Sequence, residues 1–300
     1  MESNIQRIVQ QGINEIRLLD YILKWEPIFS TRNSAKKAIK SGSILLDGNM
    51  VEASRYVLPG QVITYSVIEK PVSRVFKLSL PVIYEDDYIA VINKPAGFSV
   101  SGNYYRTIEN ALPYNLKPST ISEALQKPQA VHRLDNQTSG LLLVAKTHKS
   151  RIELGRQFEE KQISKKYKAI VIGEMLENGI INSPIEGKEA ITHFKRLQTV
   201  NSIKYGFLSL VELIPLTGRT HQLRIHLSNM GHPILGDKLY TEKHPLLKHK
   251  GLYLCATFLE FEHPITNQKE RIFIEIPHKF ASILQRVSQQ YSRLNQNKSS

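Results

Sequence analysis

The sequence predicts an α+β protein in two parts, a small N-terminal α/β module and a large α+β domain. Three observations predict it. The first seventy residues hold two short helical patterns followed by a hairpin and a strand. From Pro81 onward, short apolar runs and helical stretches follow one another in mixed order rather than in strict alternation. Between them, a stretch that begins at Pro71, runs up to Pro81 and carries Arg74 and Lys77 reads as a linker. The expected organisation is a tail at 1–14, the module at 15–72, a linker at 73–80, the large domain at 81–288 and a polar tail at 289–300. A chain of 300 residues suits one large domain or two smaller ones.

In the module, Leu18, Leu19, Ile22 and Leu23 recur at helical spacing and stop before Pro27. A second helix is expected from Thr31 to Gly42, where glycine suits a left-handed stop. At 100° per residue, Arg32, Lys36 and Lys40 fall within about 80° of one another and so share one face. Ile44-Leu45-Leu46, the dipeptide Asp47-Gly48, and Met50-Val51 read as a hairpin with a primed turn. Val62 to Val67 adds a strand.

In the large domain, Val82-Ile83-Tyr84 and Ile89-Ala90-Val91-Ile92 are short strands around a Glu85-Asp86-Asp87 turn. The stretch Gly102–Pro128, rich in Pro, Ser, Asn and Tyr, is expected as an extended loop with a short helix near Arg106–Leu112. Gly140 to Lys146 is a buried strand. A helix with Leu154 and Phe158 on one face follows, with Ile152 off that stripe. Tyr167, Ala169 and Val171 alternate with Lys168, Ile170 and Ile172 in a further strand. Leu223, Leu227 and Met230 mark a helix, with Thr220 as N-cap and Gly231 and Pro233 ending it. The residues from Gln289 are expected to fray.

Composition narrows function. Forty Lys plus Arg against 27 Asp plus Glu leave a net charge of +13 and a pI near 9.6. An excess of this size points to a polyanionic partner, because each phosphate contact releases condensed counterions. The single cysteine, Cys255, excludes an internal disulfide framework and sites built on paired thiolates, and fits a reducing compartment. Residues 1–19 lack the apolar core of a secretory signal, and no apolar run nears the ~20 residues that span a bilayer. The expected location is the cytoplasm, away from membranes. His221 and His226, five apart, do not share a helix face, so no metal site is expected.

Chemistry concentrates in three stretches. His132-Arg133-Leu134-Asp135 lies just before the apolar strand, so Asp135 is expected at the edge of a core with a guanidinium close by. A carboxylate beside an arginine keeps its charge, and a partly desolvated carboxylate can act as a nucleophile. Taken alone, such a string more often closes a turn. The full run from His132 to Lys146, however, closely resembles the signature of the RluA family of pseudouridine synthases, in which the Asp of His-Arg-Leu-Asp is catalytic. Asn136 and Gln137 fall where that family varies. Lys165-Lys166-Tyr167 and the strand after it look like the family's second motif, whose Tyr lines the uracil pocket. Leu213 to Leu227, with Thr217-Gly218-Arg219-Thr220-His221-Gln222, looks like the third. Asn93-Lys94-Pro95-Ala96-Gly97 fits the first. The two helices, the hairpin and the strand of residues 15–70 resemble an S4-like RNA-binding domain.

The resemblance implies a mixed, mainly antiparallel sheet and isomerisation of specific uridines in RNA to pseudouridine, a reaction that needs no cofactor. It implies Asp135 as catalytic nucleophile, Arg219 as its partner and Tyr167 packed on the uracil. Arg133 is expected to help hold the flipped strand, with Arg32, Lys36, Lys40 and His132 touching RNA. The expected partner is RNA, leaning to large-subunit ribosomal RNA with transfer RNA as the alternative, and the expected state is a monomer without metal. Many relatives place a His where Ser101 stands, which leaves the substrate open. Two other readings compete: a non-catalytic ribosome assembly factor that keeps the fold, and a nucleoside hydrolase that releases free base.

Overall fold

The computed structural model describes residues 3–12, 15–25, 32–67, 75–241 and 250–299. The chain divides into two compact units, Met1–Ser73 and Arg74–Ser300. Among the described residues no helix is long and apolar enough to cross a membrane.

The first unit runs β1 (Ser3–Ile8), β2 (Ile16–Arg17), α1 (Leu18–Trp25), α2 (Arg32–Lys40), β3 (Ile44–Leu46), β4 (Tyr56–Val57) and β5 (Val62–Val67). Strands β1, β5 and β3 form an antiparallel sheet with β5 central, and β2 pairs with β4. Leu18, Leu19 and Ile22 of α1 and Ala35 and Ile39 of α2 are buried with Ile44, Leu46 and Ile63 in one core. The expected stop before Pro27 and start at Thr31 lie outside the described residues. Asp47 and Gly48 both take positive φ, as a primed turn requires. The return strand at Met50-Val51 does not form; Leu46 meets only Asn49, and β3 pairs with β5 instead. The Asp47 carboxylate accounts for this, since it accepts from the Val62 amide (2.8 Å) and so fixes the turn to β5. Residues 1–14, expected as a tail, supply the edge strand β1.

The second unit begins with β6 (Val82–Glu85), β7 (Ile89–Lys94), α3 (Ile108–Asn115), β8 (Ala124–Ala130), β9 (Ser139–Thr147) and α4 (His148–Glu159). It continues through β10 (Ser164–Ile172), β11 (Asn178–Asn182), β12 (Ile191–Ser202), β13 (Gly206–Pro215), α5 (Gln222–Asn229), β14 (Leu254–Glu262), β15 (Lys269–Phe273) and α6 (His278–Ser299). Ten strands form one sheet in the order β11-β12-β13-β10-β14-β9-β7-β6, with β15 on β14 and β8 on β9. Every pairing in it is antiparallel except β14 with β9. The fold is therefore α+β with a mixed, mainly antiparallel sheet.

Strands β7 and β9 are buried on both faces, which explains their unbroken apolar runs. Ala90, Ile92, Leu142 and Val144 pack with α3 through Ile108 and Leu112, whereas Ile89, Val91, Leu141 and Leu143 pack with Leu154 of α4. Two expectations need correction. The Gly102–Pro128 stretch is less loop than expected: besides the short helix, which forms as α3, it carries the start of β8 at Ala124, with Leu125 buried. The chain also stays helical past Gln289, since α6 extends to Ser299, anchored by buried Phe280, Ile283, Leu284 and Val287.

Candidate active site

Asp135 lies in the short connection between β8 and β9, and its carbonyl accepts from the Thr138 amide at 3.0 Å. That connection is fastened from below by Lys94, the last residue of β7, which is fully buried. Its Nζ donates to the carbonyls of Thr138 (2.8 Å), Pro95 (3.0 Å), Asn136 (3.2 Å) and Asp135 (3.3 Å). An ammonium has three protons, so four acceptors share it and the loop backbone is held from several sides. Burial pulls the Lys94 pKa down to about 8, against the opposing charge of Asp135. Where the loop enters β9, Gly140 adopts φ +115° and lies against β14 so closely that a Cβ there would fall on the Ala256 carbonyl. Only glycine fits both demands.

The opposite wall comes from α5. His221 precedes it in a left-handed conformation (φ 55°), which a β-branched Thr would strain. The N-cap is this His221, without a side-chain cap bond, and not the expected Thr220. Gln222 closes this end of the helix: its Oε1 accepts from the Arg219 amide (3.0 Å) and Thr217 hydroxyl (2.7 Å). The helix then brings two side chains to Asp135. Arg224 Nη1 lies 3.5 Å from its Oδ2, and His221 Nε2 lies 3.8 Å away. Arg224 is itself clamped bidentately by buried Asp237 (2.7 and 2.9 Å), and its guanidinium lies 5.0 Å from the Tyr240 ring centre. The Tyr240 hydroxyl bonds His221 Nδ1 at 2.9 Å. Burial pulls the Arg224 pKa down, but the hydrogen bond and charge of Asp237, with Asp135 adding, raise it overall.

Tyr167 of β10 completes the wall. A register shift between Lys166 and Tyr167 marks the point where the strand delivers it. Burial, then the charge of Asp135, pushes its hydroxyl pKa up, so it stays protonated. A phenol ring offers a face for a base and a hydroxyl that can donate.

Asp135, Arg133, Tyr167, Arg219 and His132 all border one cavity of about 290 Å³. That is the small end of the range for ligand sites. Two of the expected parts change. Arg219 is not the partner of Asp135; its Nε donates to the Glu189 carbonyl (2.9 Å), and Arg224 supplies the nearby guanidinium. A residue of the loop before α5 reaches the connection ahead of β12, whereas a residue in the first turn of the helix points at the β8–β9 connection. His132 offers RNA no charge. Its ring stacks on Phe158 (4.8 Å between centres), and its Nε2 accepts from the Leu143 amide at 3.0 Å. Burial, then the charge of Lys165, pulls its pKa to about 3, against a backbone hydrogen bond at Arg133. Arg32, Lys36 and Lys40 lie in the first unit, exposed along α2, with Arg32 paired to Asp20 at 2.7 Å.

Sequence reasoning missed Lys94, His221 and Arg224. A signal existed for the last two, since positions 221 and 224 are three apart and lie together at a helix start. Among the described residues no three His, Cys, Asp or Glu side chains cluster to hold a metal ion.

Comparison with known proteins gives the family. Residues 88–229 match the RNA pseudouridylate synthase family. An RNA pseudouridine synthase of Aquifex aeolicus, itself uncharacterised, is 33% identical over 297 residues, covering 90% of this chain and 93% of its own. Ribosomal large subunit pseudouridine synthase D of Xylella fastidiosa is 32% identical over 289 residues, covering 86% of this chain and 85% of its own. Among solved structures, human RNA pseudouridylate synthase domain containing 4 superposes with a TM-score of 0.55 at 26% identity, covering 69% of this chain and 92% of that one. With Asp135, Tyr167 and Arg224 gathered around one cavity and relatives matched over most of their length, this chain belongs to the RNA pseudouridylate synthase family.

Proposed function

We propose that the protein converts specific uridines of large-subunit ribosomal RNA to pseudouridine, with Asp135 as nucleophile. The observation that carries this reading is the Asp135 carboxylate at the wall of a small cavity, 3.5 Å from a buried guanidinium and facing a protonated Tyr167. The reaction breaks the N1–C1′ bond, turns the uracil and joins C5 to C1′; the C5 proton leaves and N1 gains one. Asp135 either adds to C6 of the uracil or attacks C1′, the latter as in a retaining glycosidase. Neither atom is accessible in a stacked base, so the nucleotide is extruded at a cost of a few kcal/mol. Arg224 and His221 keep the carboxylate aimed, Tyr167 packs on the ring, and Arg133 at the exposed mouth holds the displaced strand.

The ribosomal target rests on the naming of relatives such as the synthases D of Xylella fastidiosa and Vibrio cholerae. Residues 15–72 act as an S4-like RNA-binding domain, which the exposed Lys36 and Lys40 of α2 support. Part of the phosphate affinity comes from there. The net charge of +13 and the lone, buried Cys255 fit a monomer working in the cytoplasm.

The test is carbodiimide mapping of pseudouridine in ribosomal RNA from cells with and without the gene, together with Asp135→Asn. The expected outcome is a site missing without the gene, and an Asn variant that binds RNA but forms no product. Turnover by Asp135→Asn removes Asp135 from its role.

A further inference from the structure

Residues 101–106 are exposed one after another, yet the loop they form is fastened. Ser99 bridges Thr107, the Ile108 amide donates to the Ser99 carbonyl (3.0 Å), and the Glu109 amide donates to that of Val100 (3.0 Å). Asn110 Nδ2 donates to the carbonyls of Tyr104 (2.9 Å) and Tyr105 (3.0 Å), and Lys127 in turn holds the Asn110 side-chain oxygen at 2.8 Å. The two tyrosines are used differently. Tyr105 is an anchor, donating its hydroxyl to the Val75 carbonyl (3.2 Å) and packing edge-on to Phe76 with ring centres 5.4 Å apart. The Tyr104 ring stands 69% exposed, lying beside Gly102. Because the loop is pinned at both ends, the exposed ring is held in place rather than left free to fold back.

Its place says with what. The neck of the loop abuts the catalytic turn: Asn136 Nδ2 donates to Ser99 Oγ (3.3 Å), and the Gly97 amide donates to the Asn136 carbonyl (2.8 Å). Asn136 is the residue after Asp135. From Ser99 at the neck to Tyr104 at the tip the chain advances five residues, a reach of at most roughly 18 Å. Tyr104 is therefore within the span of a few nucleotides of Asp135. An RNA strand that gives up one base to the cavity leaves the neighbouring bases with an uncovered face, and an aromatic side chain covers it whatever the base.

We infer that Tyr104 is a stacking platform for a base flanking the extruded uridine, with Arg106 beside it toward the phosphate. The inference rests on the pseudouridine-forming reading of the cavity. It makes the 101–106 loop a determinant of which RNA is accepted, preferring targets whose flanking bases are unpaired.

The test compares wild type, Tyr104→Ala and Tyr104→Phe for binding to a fluorescein-labelled uridine dodecamer and to an abasic ribose-phosphate chain of the same length. Tyr104→Ala is expected to weaken dodecamer binding by about 5- to 150-fold, the range for losing one base–aromatic stack. It is expected to leave the abasic chain bound as before, and Phe is expected to restore the loss. On ribosomal RNA from cells lacking the gene, KM is expected to rise by a similar factor, with a smaller fall in kcat. Equal loss on both chains overturns the inference, as does Tyr104→Ala binding the dodecamer like wild type; the latter would leave the ring to a protein contact. If wild type forms no pseudouridine, the reading of the cavity fails, while the two binding probes still decide the stacking.

Discussion

Replacing Arg224 with Met removes a guanidinium that serves two carboxylates at once, and the two consequences separate. Toward Asp237 the pair is buried, with 6% and 0% of the two side chains exposed. Breaking such a pair orphans a charge and costs about 3–5 kcal/mol of stability. Toward Asp135 the separation is 3.5 Å, and the carboxylate is 19% exposed. With an effective dielectric constant of about 20, the gross attraction is roughly 5 kcal/mol. Losing the aim that this contact gives the carboxylate is expected to cost about 3–4 kcal/mol in the transition state, so kcat falls about 10²- to 10³-fold. Arg224→Met/Asp237→Asn separates the effects. The Asn oxygen still accepts from the Leu239 amide, where Asp237 Oδ1 now accepts at 2.9 Å, but no buried charge is left. Urea melts should show the double variant regaining most of the lost stability. Tritium release from RNA labelled at uridine C5 should show kcat still depressed, and Arg219→Ala should lose far less than either. Wild-type turnover by the double variant would refute the reasoning and leave Arg224 as a structural partner of Asp237 alone.

Three further outcomes are expected. Lys94→Met should lower stability, because four carbonyls lose one donor. The folded pKa of Lys94 lies below its ordinary 10.5, at about 8, so the folded state binds fewer protons in that window. The stability advantage of wild type over Lys94→Met should therefore grow from pH 8 to pH 10 in urea melts. His132 titrates near 3 when folded and near 6.5 when unfolded, so its contribution is complete above pH 6.5 and drains away as pH falls toward 3. Acid melts should show the margin of wild type over His132→Gln narrowing across that range. A chain beginning at Arg74 should keep the circular dichroism of the ten-stranded sheet and some turnover on short RNA, with weaker binding to ribosomal RNA; failure to fold would refute the division of the chain at that point.

Asp135 was legible because its evidence is local: a charged turn feeding an apolar strand, in a string long enough to be distinctive. Tyr167 was legible for the same reason. Arg224 was not, because its partner depends on how α5 is aimed, and that is set by a left-handed His221 and by the Gln222 bonds to Thr217 and the Arg219 amide. Lys94 was harder still. Its burial follows from carbonyls some forty residues further along the chain, which no periodicity announces. The two misread elements failed differently. In β8 the register slips between Ala124 and Gln129, so no alternating pattern marks the strand. In α6 the spacing of Phe280, Ile283, Leu284 and Val287 is helical but was not read as a helix, and the polar run after it was read from composition alone as a frayed tail.

The single parallel join in the sheet has a bearing on when the enzyme becomes competent. Asp135 is carried by the strands on one side of that join, and Tyr167 and Arg224 belong to the other side. The strand that closes the gap, β14, starts only at Leu254. A ribosome thus delivers Asp135, Tyr167 and Arg224 before it supplies the strand on which Gly140 settles. Until that late segment docks, the two sides lack the hydrogen-bonded join that sets Asp135 against Tyr167 and Arg224.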